Sequence, residues 1–167
     1  MKFPRLNRAF TLTVIVASLS GVGVAAASAA DPTPNGGAAP AVQSVVNISR
    51  STNVVNFANR LVYCGVGTSG STCTISSGQS ATRSIGLALG VTRGFVAGQI
   101  SISADSTLSV SVACTSPALL VGQKWSAYPY GTRISYQIRQ IQQFTPTITS
   151  GTLYAFNPNG AIYCRQE

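Results

Sequence analysis

The sequence predicts an all-β fold: a single antiparallel β-sandwich or elongated β-sheet domain with a long Ser/Thr-rich hairpin and two disulfides. Three observations predict it. Residues 99–114 alternate with period two, placing Ile100, Ile102, Ala104, Leu108, Val110 and Val112 at even positions and Ser101, Ser103, Asp105, Thr107, Ser109 and Ser111 at odd ones. Period two is the strand period, so one edge of this ribbon is apolar and the other hydroxyl-coated. Beyond residue 41 no stretch sustains the 3.6-residue pattern of an amphipathic helix, whereas short β-branched and aromatic runs recur with Gly, Pro, Asn or Ser between them. The chain also has 4 cysteines, an even number suited to two disulfides in an exported protein.

The elements follow in order. Residues 1–30 read as an export signal: Lys2, Arg5 and Arg8 give a basic start, 10–24 are apolar, and 25–30 are small residues with an Ala-Ser-Ala-like cleavage site. Residues 31–41 are a Pro/Gly/Ala linker with nothing large to bury, expected to be flexible. A single β-domain is expected over 42–167. Its first strands are placed at 42–48 and 54–63, the second with room for a helical turn. Residues 83–91 alternate Ile85, Leu87, Leu89 and Val91 against Ser84, Gly86, Ala88 and Gly90, and are expected to pair with the 100–112 ribbon as one hairpin. A short strand at 123–127 and a longer one at 132–141 flank a turn at Pro129-Tyr130-Gly131. A last hairpin joins 153–156 to 161–164 through Asn157-Pro158-Asn159-Gly160, residues suited to a reversal.

Charge and cysteine placement bound the function. Removing the export signal takes away Lys2, Arg5 and Arg8 and no acidic residue, lowering the net charge from +8 to +5. The remaining cations stand singly rather than in a patch, which argues against a nucleic-acid partner and suits loose attraction to an anionic envelope or lipid. Cys64 is expected to pair with Cys73 across a flexible Gly/Ser/Thr loop, leaving Cys114 for Cys164; the alternative joins Cys64 to Cys164, which sit in similar Val-Tyr-Cys and Ile-Tyr-Cys strand ends.

Catalysis and cofactors find little to work with. There is no histidine, and beyond the export signal the carboxylates are Asp31, Asp105 and Glu167, so neither a Ser–His–Asp arrangement nor a carboxylate pair for glycoside hydrolysis can be assembled. No metal site is expected without histidine or a C-x-x-C spacing, and no cofactor is expected either. Gly65-Val66-Gly67 lacks the helix that a phosphate-binding loop requires. The protein is therefore expected not to be an enzyme.

One segment concentrates aromatic and cationic side chains: Lys124, Trp125, Tyr128, Tyr130 and Arg133 between 124 and 133. Aromatic rings offer a flat apolar face with a polar edge, suited to sugars or a headgroup interface. Trp125 equally suits a place in the core, whereas Tyr130, at the expected turn, should be exposed.

From 81 to 139, two Ser/Thr-alternating strands, a Pro bend and Val121-Gly122-Gln123-Lys124-Trp125-Ser126-Ala127-Tyr128 resemble the small exported β-proteins of filamentous actinobacteria and, more distantly, the membrane module of aerolysin-like pore-forming toxins. The toxin resemblance implies that a hairpin refolds into a transmembrane barrel, here with Ile85, Leu87, Leu89, Val91, Ile100, Ile102, Leu108, Val110 and Val112 toward lipid, in a homo-oligomer. The expectation is thus a secreted, non-enzymatic binding or surface-associating domain, its partner a glycan, a protein or a lipid surface. The alternatives are a pore-former using 83–114 and a structural subunit of a secreted or envelope assembly, docked through the 31–41 arm by strand addition.

Overall fold

The computed structural model describes residues 40–167. The expected export signal (1–30) and residues 31–39 of the expected linker lie outside the described residues; Pro40 and Ala41 are exposed and precede the first strand. The protein is built from antiparallel sheets with one short helix: β1 (Val42–Val55), β2 (Val62–Gly65), β3 (Thr74–Thr82), β4 (Ser84–Ile85), α1 (Arg93–Gln99), β5 (Thr107–Thr115), β6 (Lys124–Ile141), β7 (Ile148–Thr149) and β8 (Leu153–Gln166).

Strand β6 organises the larger, six-stranded sheet. Its 18 residues pair with β1 over 130–141 and with β2 over 124–127 along one edge, and with β8 over 125–136 and β7 over 139–140 along the other. β4 adds to the outside of β8. The alternation that makes it a strand is plain: Ile134, Tyr136 and Ile138 are fully buried while Arg133 and Arg139 are exposed. Burying each of these large side chains contributes roughly 1.5–3 kcal/mol. Tyr136 keeps its hydroxyl satisfied by donating to the Gly86 carbonyl, and burial pushes its ionisation above the ordinary tyrosine range.

Two of the expected reversals are corrected. Pro129-Tyr130-Gly131 is not a turn; β6 runs straight through it. Asn157-Pro158-Asn159-Gly160 does not close a hairpin either, because both halves of β8 continue along β6 in one direction. The ladder passes from the Pro129–Ile162 pair to the Gly131–Pro158 pair, so Asn159, Gly160 and Ala161 bulge out opposite the single residue Tyr130. Gly160 takes a φ of 89° there and the Asn159 side chain accepts from the Ala161 amide. Turn-forming residues serve an insertion as well as a reversal, and local sequence cannot tell them apart. β1 bulges twice in the same way, at the register shifts containing Asn47 (φ 54°) and Asn53 (φ 55°), asparagine being among the residues that enter this region most readily.

The expected hairpin of 83–91 with 100–112 is also corrected. β5 pairs instead with β3, in continuous register from Thr74–Thr115 to Thr82–Thr107, as a separate two-stranded sheet. Between them, Ser84 and Ile85 form the short β4, Leu89 (φ 52°) and Gly90 (φ 72°) break the strand, and 93–99 is helical. The helix has local causes. The Thr92 hydroxyl caps it by accepting from the Phe95 amide, and Val96, Ala97 and Ile100 are buried on its inner side. Strand β5 starts only at Thr107, after Ser101 turns left-handed and Ser103 and Asp105 bond to each other.

The residues expected to face lipid therefore divide between two cores. Val91 and Ile100 join Val45, Val96, Ile134, Tyr136, Ile138 and Ala155, with Ile85, Leu89 and Ile102 packed against them. Val110 and Val112 join Ile75, Ala81 and Ala127, with Leu108 alongside. Leu87 remains half-exposed. Buried Arg83 links the regions, donating to the Asn157 side chain and to the Asp105 carbonyl.

Cys64 is bonded to Cys73 and Cys114 to Cys164. The first joins β2 to the chain entering β3, and the second joins β5 to β8, so both bonds tie the small sheet to the large one.

Two outcomes follow. A Cβ at position 131 would lie 2.4 Å from the Asn157 carbonyl oxygen and 2.7 Å from the Phe156 ring, so Gly131→Ala should destabilise by about 3 kcal/mol in chemical denaturation. Because the bonds span 50 and 9 residues, the Cys114→Ala/Cys164→Ala variant should lose about 4 kcal/mol and Cys64→Ala/Cys73→Ala about 2.5, measured the same way.

Candidate binding surface

At the end of the large sheet where β6 begins, period-two alternation brings Ser126, Tyr128 and Tyr130 of β6 together with Tyr163, Arg165 and Glu167 of β8 and the residue after it. The β-ladder aligns them: Tyr128 is opposite Tyr163 and Ser126 opposite Arg165, and the Glu167 and Lys124 backbones exchange hydrogen bonds of 2.9 and 3.2 Å. The turn at 56–61, which interrupts the strand expected over 54–63, lies beside them. It is pinned to β6 by Asn56 donating to the Pro129 carbonyl (3.0 Å) and Leu61 to that of Ala127 (2.9 Å), and the Asn56 side chain accepts from the Ala58 amide. This holds Phe57 outward.

The rings meet edge to face. Phe57 lies 5.3 Å from Tyr128 and 5.9 Å from Tyr163, and Tyr130 lies 5.7 Å from Tyr163. Three cations cover the rings: Arg165 over Phe57 (4.2 Å), and Arg60 and Lys124 over Tyr63 (4.8 and 4.9 Å). Phe57 and Tyr63 stay about half exposed, 49% and 51%, while Tyr128 is buried beneath them. Such contacts are worth about 0.5–1 kcal/mol each at exposed sites, and they fix the cations in place.

Glu167 ties the surface from below. Its carboxylate accepts from the Tyr128 hydroxyl, from Ser126 (2.7 Å) and from Arg60 (3.1 Å), with Arg165 at 3.8 Å. The Tyr128 hydrogen bond is the main cause that holds this carboxyl down at about 2, aided by Ser126 and Arg60. Burial, then the bond to Glu167, pushes Tyr128 above the ordinary tyrosine range. Glu167 is thus committed to structure.

The structure separates the residues that the sequence grouped. Lys124, Tyr128 and Tyr130 belong to this surface, although Tyr130 is half-buried against Tyr163 because the turn expected to expose it is a strand. Trp125 points into the core shared with β3 and β5, with its indole N–H unpartnered. Arg133 lies beyond the bulge, stacked on Tyr154. Sequence reasoning missed Phe57, Arg60, Tyr63, Tyr163, Arg165 and Glu167. The alternation Tyr163, Arg165, Glu167 was a usable signal; the docking of the 56–61 turn was not visible.

Among the described residues there is no cluster of three His, Cys, Asp or Glu side chains able to hold a metal, and no helix long and apolar enough to cross a membrane. The disulfides point to an oxidising, non-cytoplasmic environment. No family model, no curated protein and no solved structure matches this chain.

The depressed Glu167 carboxyl stabilises the fold above its unfolded value near 4.5, and that contribution is lost as pH falls toward 2. Glu167→Gln should lower Tm by about 2–4 °C at pH 7, and the difference from the parent should close as scans approach pH 2.

Proposed function

We propose that this chain is an exported, non-enzymatic binding domain that attaches to its partner through the face built from Phe57, Tyr63, Tyr130 and Tyr163 and rimmed by Arg60, Lys124 and Arg165. The observation that carries it is the half-exposure of Phe57 and Tyr63 beneath ordered cations, of which Arg60 and Arg165 are held from below by Glu167 while Lys124 has no carboxylate partner among the described residues. Large half-exposed rings beside cations are a poor use of a purely structural surface and a good one for a sugar face or an anionic headgroup layer. In this reading the two sheets form a small β-sandwich around Ile75, Ala81, Val110, Val112 and Ala127, stapled by the disulfides for life outside the cell. Insertion of 85–112 into a membrane would have to extract Val91, Ile100, Val110 and Val112 from two cores, which gives surface attachment the advantage over pore formation.

The test is sedimentation of the oxidised protein with phosphatidylglycerol vesicles, phosphatidylcholine vesicles and insoluble cell-wall polysaccharide, beside a Phe57→Ala/Tyr63→Ala variant. Retention by one of these that falls about tenfold in the variant, with Tm little changed, supports the proposal. Retention by none, or retention indifferent to the variant, overturns it.

A further inference from the structure

A second place on the large sheet has the makings of a ligand site, independently of the aromatic face. On β6, Arg133 and Ser135 alternate with the buried Ile134 and Tyr136 and so face away from that core. Their ladder partners are Ser51 and Ser49 on β1, and Phe156 and Tyr154 on β8. Ser49, Ser51, Arg133, Ser135 and Tyr154 together line a cavity of 270 Å³. A second cavity of 210 Å³ adjoins it, and the wall common to both includes Arg133 and Tyr154.

The guanidinium of Arg133 stacks 4.4 Å from the centre of the Tyr154 ring. It makes no hydrogen bond or ion pair with any described residue. Five other arginines are engaged, while the Arg139 side chain is exposed and, like that of Arg133, bonds to no described residue. Arg50 donates to the Ile100 carbonyl, Arg83 to Asn157, Arg93 to the Ala104 carbonyl, and Arg60 and Arg165 contact Glu167. No internal anion is at hand either. The described carboxylates are Asp105, bonded to Ser103, and Glu167, bonded to Ser126, Tyr128 and Arg60 at the far end of β6. Arg133 therefore presents its donors unused, over an aromatic ring and beside three serine hydroxyls that can donate as well.

We infer that Arg133, Ser49, Ser51 and Ser135, with the Tyr154 ring beneath the guanidinium, form a subsite for one oxyanion group of a ligand, a carboxylate or a phosphate. The guanidinium supplies a bidentate, charge-assisted fork, and the hydroxyls satisfy the remaining lone pairs. The cavity accommodates the anion together with about one sugar ring, which suits an acidic glycan residue or a phosphorylated one.

Titration of the oxidised, ¹⁵N-labelled protein followed by NMR tests this, using inorganic phosphate, glucuronate and, as the uncharged control, glucose at constant ionic strength. The expected result is saturable shifts at Ser49, Ser51, Ser135 and Tyr154 and at the Arg133 side chain with at least one anion and none with glucose. Saturation by phosphate alone assigns a tetrahedral anion; saturation by glucuronate alone assigns a carboxylate. Affinity should fall at least about tenfold in Arg133→Gln, fall less in Arg133→Lys, and stay unchanged in Arg139→Gln, an exposed arginine further along β6 that lines neither cavity. Exposure of Arg133 makes these variants tolerable to the fold, and their Tm checks that. Absence of saturable shifts with both anions, or shifts that survive Arg133→Gln, overturns the subsite while leaving the aromatic face to its own test.

Discussion

Every part of the larger sheet depends on the hydrogen bonding of β6 along both edges. A strand of 18 residues that is bonded to β1 and β2 on one side and to β8 and β7 on the other leaves almost none of its amides to water. Its side chains then serve three environments in turn: the surface ring cluster around Tyr128 and Tyr130, the core under β3 and β5 at Ala127, and the core under α1 at Ile134, Tyr136 and Ile138. Because these share one backbone, a change of register in β6 would reach all of them together. The bulges absorb the mismatch instead. They sit on β1 and β8, never on β6, so the partner strands adapt to the central one.

The close approach at Gly131 shows how little slack this leaves. β8 can pass its bulge only because position 131 has no side chain to meet the Asn157 carbonyl. Pro129, two residues earlier, lacks an amide to donate, yet its carbonyl accepts from Asn56 and so anchors the turn that carries Phe57. A residue usually hostile to strands thereby helps to position the candidate binding surface.

Fold class was legible from the sequence because burial imposes period two wherever one side of a strand is covered, as Val110 and Val112 against Ser109 and Ser111 show. The disulfide partners were legible too, since Cys64 and Cys73 lie close in sequence and leave one further pair. Strand partnership was not. The 83–91 and 100–112 segments have the alternation of strands, but Leu89, Gly90 and Ser101 adopt left-handed backbone and Thr92 caps a helix, so the intended partner of β5 is the unobtrusive Thr74–Thr82. Asn and Gly marked the places where the chain departs from regular pairing without indicating whether it turns back. On the surface, Lys124, Tyr128 and Tyr130 were found from local density of aromatics and cations, whereas Arg60 and Glu167, which meet at 3.1 Å across 107 residues, could be joined only by the fold.

The course of β1 and β8 has a mechanical consequence. Both run antiparallel to β6, so Val42 lies beside Ile141 while Gln166 lies beside Trp125, at opposite ends of the central strand. A tether on the residues before 42, with a partner held at Tyr163 on β8, would load the β1–β6 and β6–β8 ladders along their length, whereas a hold on Phe57 would pull along the backbone of β1 itself. Interstrand hydrogen bonds stand perpendicular to such a pull, so they would share the force rather than open one after another from an end. If the aromatic face binds as proposed, the domain would carry tension between the residues before its first strand and that partner.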